Sequence, residues 1–316
     1  MKIFIQSVHA SLEFDQATMF LGMGHQVAGS FDVGSVQKPK IKGCTDVSHR
    51  IEDAYVGADM FLLHQTEDYS NVFLRHAQEM GDRPVVLTYF GQGCDAQHQQ
   101  TAALLCARKN TYVVAYSKKE YNMLIGLGAP LRKVRMIRFG KVISDFEEGG
   151  GWTGRLPICF MSCNSLKHRG DGTSWPVMDR LMRGDIPLLL GGKDSLQHPC
   201  GIGEISWDAL KSVYRQARCY LTLGTKPAPY VLTLVEAMCS GTPVVAYDNG
   251  CGITGEDLGV LIAHSVDEIV LLVKSICSDR ELAQQYSRKM KECAYLNFDM
   301  NRISLQWSEF MEEMWK

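Results

Sequence analysis

The stretch with the most suggestive chemistry is Gly224-Thr225-Lys226-Pro227-Ala228-Pro229-Tyr230, which runs into the helical pattern Val231-Leu232-Thr233-Leu234-Val235-Glu236-Ala237-Met238. A helix start leaves backbone N–H groups without intrahelical acceptors, and its dipole adds positive potential, so this junction suits a diphosphate. Glu236 falls about one and a half turns inside the helix. A carboxylate there can accept both hydroxyls of a ribose while the amides hold the phosphates. On spacing alone the pattern is generic, because many α/β helices begin after such a loop. A second group is Lys167-His168-Arg169-Gly170, just after the apolar run 158–162. The planar fork of Arg169 can hold phosphate oxygens in a bidentate way; the plain alternative is a solvated charged turn.

These residues need a frame, and the chain supplies one. Short β-rich apolar runs alternate with helical patterns along its whole length. Strands are expected at residues 2–7, 26–30, 58–63, 84–89, 112–116 and 134–138, and again at 158–162, 186–190, 219–223, 243–246 and 259–262. Helical patterns fall at 11–22, 71–80, 97–108, 118–127, 207–216, 230–240 and 266–278. Runs that are apolar at every position, such as 85–87 and 188–190, suit strands buried on both faces of a parallel sheet. Repeated βα alternation implies an α/β, doubly wound architecture. The most glycine-dense stretch, Glu147-Glu148-Gly149-Gly150-Gly151-Trp152-Thr153-Gly154, separates the two sets of strands and reads as a hinge. The expectation is two Rossmann-like domains facing across a cleft, residues 1–150 and 151–296. A C-terminal helix, 297–316, is expected to return to the first domain. Its apolar stripe, Ile303, Trp307, Phe310, Met311 and Met314, lies at helical spacing and reads as packing.

Composition narrows the classes. The 316 residues are 46% apolar and 22% charged, with a net charge of −2. At roughly 150 residues per domain this length suits two domains. The 11 cysteines are odd in number and contain no C-x-x-C pair, which speaks against a disulfide framework or zinc ribbon. Cys159 and Cys219 sit inside apolar runs, where cysteine acts as a small hydrophobe. A pI near 6.5 gives no bulk basic field. Lys118, Lys119, Arg132, Lys133 and Arg135 form a local candidate strip for a phosphate backbone, or a solvated face. No run approaches the roughly 18 apolar residues of a membrane helix. The first residues enter a strand-like run with no cleavage site, so a reduced, cytoplasmic protein without membrane insertion is expected. There is no D-x-D, no Walker-type G-x-x-x-x-G-K-S/T, and no G-x-G-x-x-G after the first strand. Metal-dependent sugar transfer, ATP hydrolysis and dehydrogenation thereby lose their main support, and no metal ligands are assigned. Glu147-Glu148 and Glu256-Asp257 read as surface pairs.

Residues 228–246 resemble the donor-binding motif of GT-B glycosyltransferases, the large retaining group (glycosyltransferase group 1/4-like) that reads roughly E-P-F-G-L-x-x-x-E-A-M-A-x-G-x-P-V-V-A. Ala228-Pro229-Tyr230 and Glu236-Ala237-Met238-Cys239-Ser240-Gly241-Thr242-Pro243-Val244-Val245-Ala246 lie in register with it. The resemblance implies that Glu236 binds the nucleotide ribose and that Thr225, Tyr230, Leu232, Thr233, Gly191 and Ser162 share the donor site. It also makes 151–296 the nucleotide-sugar domain and 1–150 the acceptor side. The first Glu of the motif is Ala228 here, so its role beside the donor sugar does not carry over.

A second signature of that group, G-R-x-x-x-x-K-G, is only half present. In register, Asn164 takes the arginine position, Arg169 the lysine position and Gly170 the closing glycine, with Lys167 close by. Cations are needed there because charge builds on the leaving phosphate oxygen. Lys167 and Arg169 are therefore catalytic candidates. Leu190-Gly191-Gly192-Lys193 resembles the group's small glycine loop. On the acceptor side, residues 7–15 follow the first strand. Ser11 reads plainly as an N-cap, while His9 and Asp15 are catalytic candidates and Glu13 an acceptor contact at the cleft rim. Many relatives carry a sugar-contacting histidine after the fourth strand; residues 86–93 have none. Gly91 lets the backbone approach a ligand there and Gln92 takes over the contact. His64, at another strand end, is a second sugar candidate, although such a histidine is more often structural.

The expected activity is transfer of a hexose, glucose or a close relative, from a nucleoside diphosphate sugar such as UDP-glucose to an acceptor hydroxyl. The resemblance implies retention, no metal and no cofactor, with the leaving phosphate deprotonating the acceptor. The acceptor is open. Phrases such as Thr88-Tyr89-Phe90-Gly91-Gln92 are similar to small phage and environmental members, which makes DNA carrying 5-hydroxymethylated pyrimidines, in a host cytoplasm, the alternative acceptor. A non-catalytic sugar-nucleotide-binding protein is the other alternative, favoured by Ala228, Asn164 and the absent histidine.

Overall fold

The strands form two parallel sheets. The computed structural model describes residues 1–6, 10–29, 43–46, 57–64, 75, 77–89, 96–164, 167, 175–183, 186–224 and 228–316. The chain divides into two units, Met1–Gly140 with Met300–Lys316, and Lys141–Asp299.

The first unit carries β1 (Lys2–Gln6), β2 (Gln26–Gly29), β3 (Thr45–Asp46), β4 (Met60–His64), β5 (Val85–Tyr89), β6 (Thr111–Ala115) and β7 (Val134–Met136). Their order is β3-β2-β1-β4-β5-β6-β7, with every neighbouring pair parallel. The unbroken apolar runs explain the arrangement. Ile3, Phe4 and Ile5, like Phe61, Leu62 and Leu63, are all buried, which only helices on both faces of a sheet can achieve. Phe4 and Phe61 meet at 4.7 Å between ring centroids across the β1–β4 pair. Strand β3 was not anticipated, because two residues carry no readable period. The helix Met300–Met314 belongs to this unit and buries the whole stripe from Ile303 to Met314. Trp307 lies edge-on to Phe20 at 5.3 Å and Phe310 to Tyr112 at 5.9 Å. Each such buried aromatic contributes about 1.5–3 kcal/mol.

The second unit carries β8 (Leu156–Ser162), β9 (Leu188–Gly191), β10 (Ala217–Thr222), β11 (Val244–Tyr247) and β12 (Leu261–Ala263), in the order β12-β11-β10-β8-β9 and again all parallel. Cys159, Cys219 and Cys277 are free thiols in its core, among Met161, Leu190, Leu221, Val245 and Val273. The helices Trp207–Gln216 and Val266–Ser278 start where Ser206 and Ser265 accept backbone N–H groups. The helix Arg280–Phe298 was missed in the sequence. Its N-cap, Asp279, accepts from the amides of Glu281 and Leu282, but its buried stripe includes Ala283, Ser287 and Ala294, whose hydrophobic period is faint.

Residues 147–154 lie inside the second unit rather than at the division, which falls between Gly140 and Lys141. Glu147 pairs with Lys291 at 2.9 Å and Trp152 donates its indole N–H to the Ala217 carbonyl at 2.9 Å. The glycine-rich stretch is thus fastened to its own unit.

Strand order locates the ligand-binding ends. In each sheet two neighbouring strands have connections that leave in opposite directions: β1 and β4 in the first, β8 and β10 in the second. Ligands of open α/β sheets gather beyond the carboxyl ends of such a pair. In the second unit those ends are Ser162 and Thr222.

Candidate functional site

Beyond Thr222 the chain reaches the helix Leu232–Cys239, whose N-cap residue, Val231, is extended and offers no side-chain acceptor to the first turn. Tyr220 of β10 joins this helix to β8. Its phenol donates to Thr233 Oγ1 at 2.8 Å and lies 3.5 Å from the Ser162 carbonyl oxygen. Burial pushes the Tyr220 hydroxyl above its ordinary range, so it acts as a donor. Ser162 in turn is the parallel partner of Gly191. Four residues expected at the donor site, Ser162, Gly191, Thr233 and, one turn further on, Glu236, therefore converge at one sheet end. Tyr230 and Leu232 are buried beside them, with the Tyr230 ring 5.9 Å from Phe298. Thr225 and Arg169 lie outside the described residues, and Lys167 is exposed.

Glu236 is 3% exposed and pairs with Lys141 Nζ at 3.1 Å; Lys141 is 1% exposed. The two residues are 95 positions apart, and nothing in the sequence pointed to Lys141. Removing two charges from water is costly, and only close pairing offsets it. Tyr214 packs nearby: burial raises its hydroxyl well above the usual range, and the charge of Glu236 adds to the effect.

Asn164, which the motif resemblance puts at an arginine position, has a side chain that does structural work. Its Oδ1 accepts the Lys193 amide at 2.9 Å, fastening the glycine loop after β9. Gly192 in that loop has φ +122°, and a Cβ there would lie 2.5 Å from the Cys163 carbonyl oxygen. Only glycine fits. On the other side, Asn249 donates to the Leu223 carbonyl at 3.0 Å and accepts the Cys251 amide at 3.1 Å. Asn249 thus holds the start of the loop before helix Leu232–Cys239, a role the sequence reading missed. Glu256, expected at the surface, is buried.

In the first unit His9, Gly91 and Gln92 lie outside the described residues. Glu13 and Asp15 lie on the helix Ala10–Gly22 and are 3% and 7% exposed, so neither stands on an open rim. His64 is buried at the end of β4, with Nε2 against Gln16 Oε1; Gln16 Nε2 donates to the Tyr116 hydroxyl at 2.7 Å. His64 is 2% exposed in this chain. The basic strip is not one exposed face. Lys133 is buried with Nζ 3.9 Å from the Tyr112 ring centroid, and Arg135 pairs with Glu313. Among the described residues, no cluster of three or more His, Cys, Asp or Glu side chains could hold a metal ion, and no helix is long and apolar enough to cross a membrane.

Residues 197–292 match the family model of Glycosyl transferases group 1. No curated protein matches the chain by sequence. Among solved structures, the fold is similar to Anabaena HepE in complex with UDP and glucose, at a TM-score of 0.72 and 14% identity over 99% of each chain. It is similar to sucrose-phosphate synthase from Thermosynechococcus elongatus, at a TM-score of 0.69 and 16% identity over 100% of this chain and 99% of that one. An alpha-glucosyltransferase in complex with UDP and a 13-mer DNA containing an HMU base gives a TM-score of 0.67 and 13% identity over 100% of both chains. The architecture is GT-B, and the matched segment contains the helix of Glu236.

Proposed function

We propose that this glycosyltransferase moves a hexose from a UDP-sugar, with retention and without a metal, and that its second unit holds the donor. The observation that carries the reading is the link Ser162–Tyr220–Thr233 at the switch point of the second sheet, with Glu236 one turn deeper on the same helix. A helix start without a side-chain cap suits a diphosphate, and a carboxylate one turn on suits a ribose, which supports this reading. Support for the UDP-sugar comes from HepE, whose structures hold UDP, glucose and UDP-glucose. In the reaction the bond between the sugar C1 and the phosphate oxygen breaks, and a bond from C1 to the acceptor oxygen forms. The acceptor proton goes to the leaving phosphate, and Lys167 and Arg169 stabilise the charge that develops there. The first unit supplies the acceptor side. The free core thiols suit a reducing, cytoplasmic setting.

DNA carrying hydroxymethylated pyrimidines is the second reading for the acceptor, favoured by the whole-length likeness to the alpha-glucosyltransferase bound to such DNA. The test is a screen of labelled nucleotide sugars against small-molecule, glycan and hydroxymethylated-DNA acceptors. Transfer from UDP-glucose supports the reading. Binding of UDP-sugars with neither hydrolysis nor transfer to any acceptor would replace it with a sugar-nucleotide-binding protein.

A further inference from the structure

The nucleotide carboxylate has a partner of its own. Lys141 opens the second unit, and its backbone is fixed: its amide donates to the Phe298 carbonyl at 2.8 Å, and it bridges to Asp299. From that anchor the side chain runs inward to Glu236 Oε1 at 3.1 Å, with both residues almost wholly buried. A carboxylate offers roughly four acceptor sites. The ammonium contact orients the group, with the Tyr214 hydroxyl beside it, and leaves acceptor sites for further donors.

We infer that Lys141 is a positioning residue for nucleotide recognition: it orients the Glu236 carboxylate so that it accepts both ribose hydroxyls, and so selects ribonucleoside over deoxyribonucleoside diphosphates. The inference rests on the nucleotide-sugar reading above and goes beyond it, because that reading assigns nothing to Lys141. A lone buried carboxylate would draw in water or turn toward other donors. The pairing removes that freedom before the nucleotide arrives, so less ordering is left for binding to do.

The experiment is calorimetric titration of the full chain with UDP and with 2′-deoxy-UDP, in the wild type and in Lys141→Met. Loss of one charge-assisted hydrogen bond corresponds to roughly tenfold or more in affinity. The wild type is therefore expected to bind UDP at least tenfold more tightly than 2′-deoxy-UDP. In Lys141→Met, UDP binding should weaken about tenfold and the preference for the ribose should largely vanish. A merely structural lysine would lower the melting temperature of the variant without changing that ratio. Lys141→Gln, which can still donate to the carboxylate, serves if Lys141→Met does not fold, and should show the same direction with a smaller change. A wild type that binds no UDP overturns the nucleotide-sugar reading itself. A wild type that prefers UDP alongside folded variants with the same preference overturns only the role of Lys141. Failure of both variants to fold also overturns it, leaving the pair structural.

Discussion

Tyr220 donates to Thr233 Oγ1 at 2.8 Å, so a core strand residue holds the first turn of the helix that carries Glu236. The phenol is almost wholly buried, and its ring packs against Tyr214 at 5.5 Å. The hydrogen bond can therefore be removed without emptying the space.

Tyr220→Phe tests that link. The ring packing stays, and the lost hydrogen bond is expected to cost about 1 kcal/mol of stability. UDP affinity should fall by a few fold, because the helix start is less firmly set. Thermal melts and UDP titration of the variant read both effects. Unchanged UDP affinity would remove Tyr220 from the donor site.

Glu236→Ala is expected to raise the donor KM by more than tenfold, since a ribose contact contributes mainly to ground-state binding. The variant should also be less stable than its surface neighbours suggest. It removes the carboxylate of the buried Lys141–Glu236 pair, and breaking a buried pair by removing one partner costs on the order of 3–5 kcal/mol. A donor KM equal to wild type in folded protein would show that the carboxylate does not meet the nucleotide.

Arg169→Ala and Lys167→Ala address the leaving group. If either cation meets the departing phosphate, kcat should fall more than donor affinity, because the charge peaks in the transition state. The loss should correspond to about 2–4 kcal/mol of barrier for the residue that makes the contact. Steady-state kinetics with UDP-glucose decide between the two positions, and wild-type kcat in both would take the cluster out of the mechanism.

Gln16→Leu probes the buried chain from His64 to Tyr116 in the first unit. His64 and Tyr116 each lose one hydrogen bond to Gln16, at an expected cost of about 1 kcal/mol each. Because the chain lies in the first unit and the donor is proposed to bind in the second, UDP affinity should stay at the wild-type level while the melting temperature drops. A selective loss of UDP binding would instead place this network in the donor site.

Much of this molecule is written locally. Runs such as Val85–Val86–Leu87 are apolar on both faces, and that alone requires strands covered on both sides; all eleven anticipated strands are present. The helix Leu232–Cys239 and the place of Glu236 on it were equally legible, because the motif spans adjacent turns. The faint Ala–Ser stripe of Arg280–Phe298 hid that helix, since weak amphipathicity leaves little period to read. Other features exist only in three dimensions. Asn164 could be recognised as a missing cation, but not as the clasp on the Lys193 amide. Asp15 and Glu13 looked like rim residues, and packing of their helix buried them. The ion pair of Lys141 with Glu236 joins positions 95 apart. Sequence spacing dictates what neighbours on one helix or strand can share. Which distant charge enters a desolvated site is decided by the chain path that brings Lys141 beside the end of Arg280–Phe298, and by the low dielectric that makes an unpaired carboxylate there too costly to leave alone.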